Sequence, residues 1–301
     1  MSASSGVGTA EQPRFGPGAG ASARSGSRPG VGVVYRWELT KLRYQKRTYL
    51  GLGAAAIVPI LFVVAIHFRH HHDNGGGDFA FASYLTKSGL VVPLVLLLFG
   101  AVWMFPLITA LVAGDIFASE DHNGTLKTVL TRSLERWQIF AGKTLATATY
   151  AVTAIFISGT VGVIAGSIQS GFNSVQTLSG TVVSAPKGLE LVYLSLLVYL
   201  IPIGTIVCIG LLLSTITRNS AAAVVGTLMV SLLFQLIGIL PGLGALRPYL
   251  LSTQFNAWQG LLRQPIDWAP IVRAAWVCAM YAVPALATAF LVFLRRDVAG
   301  G

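Results

Sequence analysis

Six long stretches of this sequence, residues 49–68, 89–113, 144–168, 189–213, 221–240 and 271–294, hold at most one charged residue each. No other feature restricts the fold as tightly. A bilayer's hydrocarbon core is about 30 Å thick, so a helix rising about 1.5 Å per residue needs about 20 apolar residues to cross it. Backbone groups in lipid have no water to bond, and a helix satisfies them within its own segment. The runs therefore predict an all-α, polytopic membrane protein with six transmembrane helices. The composition agrees: 11% of the residues are charged, against about 25% in an average soluble chain.

Charge placement gives the orientation. With the N-terminus in the cytoplasm, six spans return the C-terminus to the same side, and cytoplasmic segments then hold fifteen of the 21 Lys and Arg residues. Eight precede the first span. Lys127, Arg132, Arg136 and Lys143 follow the second, Arg218 follows the fourth, and Arg295 and Arg296 follow the sixth. This excess on one side fits both termini being cytoplasmic. The net charge of +10 is then mostly a topology signal. A nucleic-acid face needs a basic patch with interleaved aromatics on a folded soluble domain. No segment is long enough to form one, so nucleic acid is not an expected partner.

Residues 1–30 are dominated by Gly, Ala, Ser and Pro, which predicts a disordered cytoplasmic tail. Residues 31–48, VGVVYRWELTKLRYQKRT, set Val34, Trp37 and Leu42 among Arg36, Lys41, Arg43, Lys46 and Arg47. This fits an N-terminal amphipathic helix in the membrane interface, in contact with the lipid bilayer, and equally a basic flank that orients the first span. His70, His71, His72 and Asp73 offer metal-binding groups. Adjacent histidines on a glycine-rich loop lack a structural site's fixed geometry, so a solvated loop is expected. Gly159, Gly162 and Gly166 in the third span permit close helix approach, and Pro93, Pro106, Pro202 and Pro284 permit kinks. Cys208 and Cys278 fall inside spans without metal-ligand spacing and read as small apolar residues. Residues 241–270 are too broken to cross a membrane yet hold Tyr249, Phe255, Trp258 and Trp268. Such a segment must be buried against protein or line a cavity; an outer gate and a static aromatic cap both fit.

The chemistry of an enzyme is not visible. Acids within lipid are functional candidates, but all eleven Asp and Glu lie in the tail, in loops or at span ends. Asp115 and Glu190 come nearest, and neither has a second carboxylate or a histidine in its own span. This argues against intramembrane hydrolysis and proton-coupled transport. AGKT at residues 141–144 looks like the tail of a P-loop, which needs a glycine five positions before the Gly of its Gly-Lys pair. Gly142 puts that position at 137, where Trp137 stands, and Thr144 begins a span. No catalytic, cofactor-binding or metal-binding residue is assigned.

What remains is the cytoplasmic loop 114–143, which carries most of SEDHNGTLKTVLTRSLERWQIFAGKT. Asn123-Gly124 signals a turn. Leu126, Val129, Leu130, Leu134 and Trp137 then recur at spacings of three and four among Lys127, Arg132, Glu135 and Arg136, an amphipathic helical pattern. A docking surface and an ordinary interfacial linker both fit it.

The arrangement Glu120…Gly124-Thr125-Leu126-Lys127…Leu130…Arg136…Gly142-Lys143 resembles the E-x-x-x-G-T-L…R…K signature of the ABC-2 type permeases, the membrane subunits of a class of ATP-driven exporters. The ending FLRRDV, residues 293–298, is similar to their usual close. The resemblance covers about residues 31–298, a six-span permease domain. The family often places a proline before a Ser-Arg pair in this loop, where the chain reads Arg132-Ser133-Leu134-Glu135-Arg136. The resemblance implies half of an exporter in a bacterial plasma membrane. Such a permease subunit pairs with a second one, as homo- or heterodimer, and docks a separate ABC ATPase that binds ATP and Mg. It implies an ATPase-coupling region of Glu120, Gly124, Thr125, Arg136 and Lys143. On the residues alone, a non-transporting scaffold or sensor and an ion-gradient-driven secondary transporter are the alternatives.

Overall fold

The computed structural model describes residues 30–72, 87–122, 135–240, 242 and 244–295. The tail before Gly30 lies outside these residues, as do Gly124, Thr125 and most of the amphipathic pattern. Helix α1 (Val31–Arg43) leads through a short turn into α2 (Lys46–His72). The backbone of α2 runs through His72, so the histidine run closes a helix where a loop was expected. Helix breakers first cluster at Asn74 to Gly77, and nothing before them stops the helix.

The second apolar run is not one straight span. It folds as α3 (Val91–Gly100) and α4 (Met104–Ala113), which meet at 64°. Pro106 sits in the first turn of α4, where its missing N–H costs nothing. A helix continuing through it would drive its ring into the carbonyl four residues back. The break at residues 101–103 removes that clash. The prolines beyond the first turn of their helices, Pro59, Pro202 and Pro284, sit in unbroken ones.

After the short α5 (Ala118–His122) comes α6 (Arg136–Ser170). It starts eight residues before the expected Thr144, so Arg136 and Lys143 belong to a membrane-length helix and the loop before it is shorter than 114–143. The cause is local. Glu135 and Gln138 form a reciprocal capping box, which satisfies orphan N–H groups and starts the helix there. At about 1.5 Å per residue α6 is about 50 Å long, well beyond the thickness of a lipid core.

A small antiparallel hairpin follows, β1 (Val175–Gln176) with β2 (Val182–Val183), pairing Val175 with Val183. Then come α7 (Ala185–Thr217), α8 (Ser220–Ile239), α9 (Leu251–Gln254) and α10 (Ala269–Leu294). The turn between α7 and α8 is tight: Arg218 takes a left-handed φ of 53°, and the Asn219 side chain caps α8 by accepting from the Ala222 N–H at 3.1 Å. Among the described residues five helices are long and apolar enough to cross a membrane, or six if α3 and α4 form one bent span. Apart from the hairpin the fold is all-α and built as a multi-pass membrane protein.

Helix α7 is the centre, packed against α4, α6, α8 and α10, while α6 carries α1, α2 and α3 on its other sides. The buried ring of Tyr199 on α7 lies 5.3 Å from Phe105 and 5.3 Å from Phe255, so it joins the bundle to the segment before α10. That segment holds α9 and two 3-10 turns, Arg247–Tyr249 and Ala257–Leu262. It buries Leu251, Phe255, Trp258, Leu261 and Leu262. The glycines of α6 work as close-approach sites: a Cβ on Gly166 would lie 2.3 Å from the Gly89 carbonyl oxygen. The start of α3 therefore crosses α6 almost backbone to backbone.

Candidate functional site

Glu38 shares a face of α1 with Val34 and Leu42, at spacings of four, and all three are buried. That face lies on α6. The crossing is close because residue 142 is glycine: a Cβ there would meet Val34 at 2.6 Å. The next residue, Lys143, is fully buried. Its Nζ lies 2.8 Å from Oε1 of Glu38 and 2.8 Å from Oε1 of Glu120. A longer contact of 3.4 Å reaches the Ile116 carbonyl. Lys41 of α1 closes the group with an ion pair to Glu120. Among the described residues, two carboxylates thus face two ammoniums.

Beside it sits a second pair. Asp115, buried in the turn after α4, pairs with Arg47 at the start of α2 and accepts from the Ser220 hydroxyl at the start of α8. One turn earlier in the chain, Ser214 at the end of α7 accepts from the Phe117 and Ala118 N–H groups at 3.1 and 3.0 Å. The Phe117 ring lies under Lys143, 5.7 Å from Nζ. It also packs on Phe140 of α6 and Phe293 of α10. Buried charges are tolerable when they are paired and hydrogen-bonded, and this end of the bundle supplies both conditions.

Burial alone would raise the Glu120 carboxyl. The Lys143 and Lys41 ammoniums beside it outweigh burial and hold it below the ordinary carboxylate value of 4.5. It stays ionised at neutral pH.

The five expected coupling residues divide into three groups. Glu120 and Lys143 touch. Arg136 stands apart at the first turn of α6, where its guanidinium donates to the Leu294 carbonyl at 2.6 Å and ties α6 to the last turn of α10. Gly124 and Thr125 lie outside the described residues. Glu38 was not singled out in the sequence, although its place on the Val34–Leu42 face was a usable signal. Asp115 was weighed against partners in its own span, but its partners come from α2 and α8. Chemically, the site holds ions together. It fastens α1, α5 and α6 into one body, with α2, α4 and α8 held by the Asp115 pair.

A comparison with known protein families matches residues 56–299 to DUF2705, described as proteins of unknown function. The chain belongs to DUF2705. The DUF2705 match takes in Asp115, Glu120, Arg136 and Lys143, whereas Glu38, Lys41 and Arg47 precede it. No curated protein matches the chain.

Proposed function

We propose that this chain is the permease subunit of an ATP-driven exporter in a bacterial plasma membrane, forming half of the pathway beside a second permease subunit. In this reading α3 and α4 make one bent span, giving six. Both termini are cytoplasmic, and α1 lies in the interface with Val33 and Trp37 exposed toward lipid. A separate ABC ATPase docks through the cytoplasmic loop 114–143 and holds the ATP and Mg, so hydrolysis belongs to the partner.

The observation that carries the reading is the contact between Glu120 and Lys143. These residues flank the segment that resembles the coupling loop, and their ion pair joins its entry to α6. Arg136 joins the same helix to α10. A partner that pushes on this loop at Glu120 or Arg136 would therefore move α1, α6 and α10 together. The test is Arg136→Ala in a purified complex with its ATPase. Hydrolysis should persist, while the ATP-driven distance change between spin labels on the far ends of α6 and α10 should shrink severalfold. Labels that move as they do in the wild type would sink the proposal.

The buried Glu38–Lys143–Glu120 group is the observation that favours an ion-coupled transporter instead. That reading requires the labels to move in response to a proton gradient without ATP.

A further inference from the structure

Helix α1 has a second face, which is open among the described residues. Val34, Glu38 and Leu42 are turned onto α6, and the hydroxyls of Tyr35 and Thr149 bond at 2.9 Å, so the helix is fixed to the bundle. On the other side Val33, Arg36, Trp37, Thr40, Arg43 and Tyr44 are exposed, at the spacings of three and four that put them on one face. Lys46, also exposed, opens α2 directly after them. Among the described residues Arg36, Arg43 and Lys46 pair with no acid. The acids of this end point inward: Glu38, Asp115 and Glu120 are buried and taken by Lys143, Arg47 and Lys41. Glu135, exposed on α6, accepts from the Trp137 indole N–H. The opposite end differs, since its surface pairs Lys187 with Glu190 at 2.8 Å and Arg263 with Asp267 at 3.0 Å.

The occupant has to be anionic and to accept aromatic rings as well. Tyr44 is 85% exposed and Trp37 46%, a poor arrangement in water but a favourable one in a headgroup layer, which takes both the ring and its polar tip. Position agrees with composition. The membrane-length α2 begins two residues after Tyr44 and exposes Tyr49 and Leu50 in its first turns, so the face stands at the level of a bilayer's phosphates. Guanidinium groups match phosphate oxygens in geometry as well as charge. We propose that the outer face of α1 binds anionic phospholipid, with Arg36, Arg43 and Lys46 on the phosphates and Val33, Trp37 and Tyr44 among the upper acyl chains. Because α1 is fastened to α6, the lipid is held against the bundle itself. The proposal rests on α1 lying in the interface, as the exporter reading has it, and not on any ATPase.

The test places a bimane fluorophore on Thr40→Cys of the full chain, with Cys208→Ala and the buried Cys278 retained. The protein is reconstituted in phosphatidylcholine vesicles that hold a small fraction of nitroxide-labelled phosphatidylglycerol or phosphatidylcholine with identical chains. Nitroxides near the headgroup should quench the fluorophore more than nitroxides at the chain end. Phosphatidylglycerol should reach half-quenching at a roughly fivefold lower fraction than phosphatidylcholine, the effect of about one basic residue beside an anionic surface, and added salt should narrow the gap. Arg36→Gln with Arg43→Gln should abolish the preference, and Arg36→Lys with Arg43→Lys should keep most of it. Arg218→Gln with Arg295→Gln removes as much charge from the same end without touching α1, and should leave it intact. Equal quenching by the two lipids at headgroup depth would overturn the proposal while leaving α1 in the interface, and would assign the arginines to an acidic protein segment instead. A preference that survives Arg36→Gln with Arg43→Gln would also overturn it. Absence of quenching by either lipid would overturn it together with the placement of α1, and the co-purification of an ATPase would still be decided separately.

Discussion

Lys143 is the eighth residue of a membrane-length helix, and its ammonium is held wholly inside the protein by two carboxylates. Removing the cation takes the ion pair from buried Glu38 and one of those made by Glu120, which keeps Lys41. Lys143→Met should therefore lower stability by about 3–5 kcal/mol, the usual cost of breaking a buried pair, read as a lower thermal midpoint in detergent. Adding Glu38→Gln and Glu120→Gln to it should recover part of that loss. The pH response follows from the depressed Glu120 value. A group whose folded value is lowered contributes stability that is complete above its unfolded value and disappears as pH falls through the folded one. The midpoint should hold from neutral pH down to about 4.5 and fall below it. Glu120→Gln should blunt that fall. Of these residues, Glu120 and Lys143 were legible through a motif. Glu38 was hidden because a lone acid in a basic stretch reads as surface until its face of the helix is known to be covered.

Among the elements, the helices themselves were the most legible part. Long uncharged runs dictate them, whatever the tertiary contacts. Their ends and breaks were not, because these depend on single atoms: the N–H that Pro106 lacks, and the side chains of Glu135 and Gln138 that start α6 early. The glycines of α6 sit between these extremes, since their spacing announced close packing but not the partner. Gly89 of the α3 entry is the partner of Gly166, and Leu196 of α7 that of Gly159. Gly166→Ala should cost about 1–3 kcal/mol by overpacking, measured as a lower thermal midpoint. Gly53→Ala in α2, where a Cβ meets nothing within 4 Å, should leave the midpoint unchanged or slightly raise it. Equal effects at both positions would contradict the close crossing.

Across the whole molecule, the two ends are built differently. One end holds ion pairs that fasten helices from across the chain. The other holds an aromatic cap and a hairpin with an apolar chamber between them. In the proposed exporter the ion-paired end receives force and the long α6 carries it across. The sequence made the class of protein legible through its apolar runs, and the proposed partner only through resemblance, because an ATPase leaves no chemistry on the chain it drives. The central claim is that partner. The most direct measurement is purification of the tagged full-length chain from its native membrane, followed by the stoichiometry and hydrolysis rate of any co-purifying ATPase. A permease subunit should bring down a Walker-motif ATPase in equal amount, whose hydrolysis depends on the chain being present. A chain that purifies without such a subunit, or with one whose hydrolysis is indifferent to it, would contradict the account.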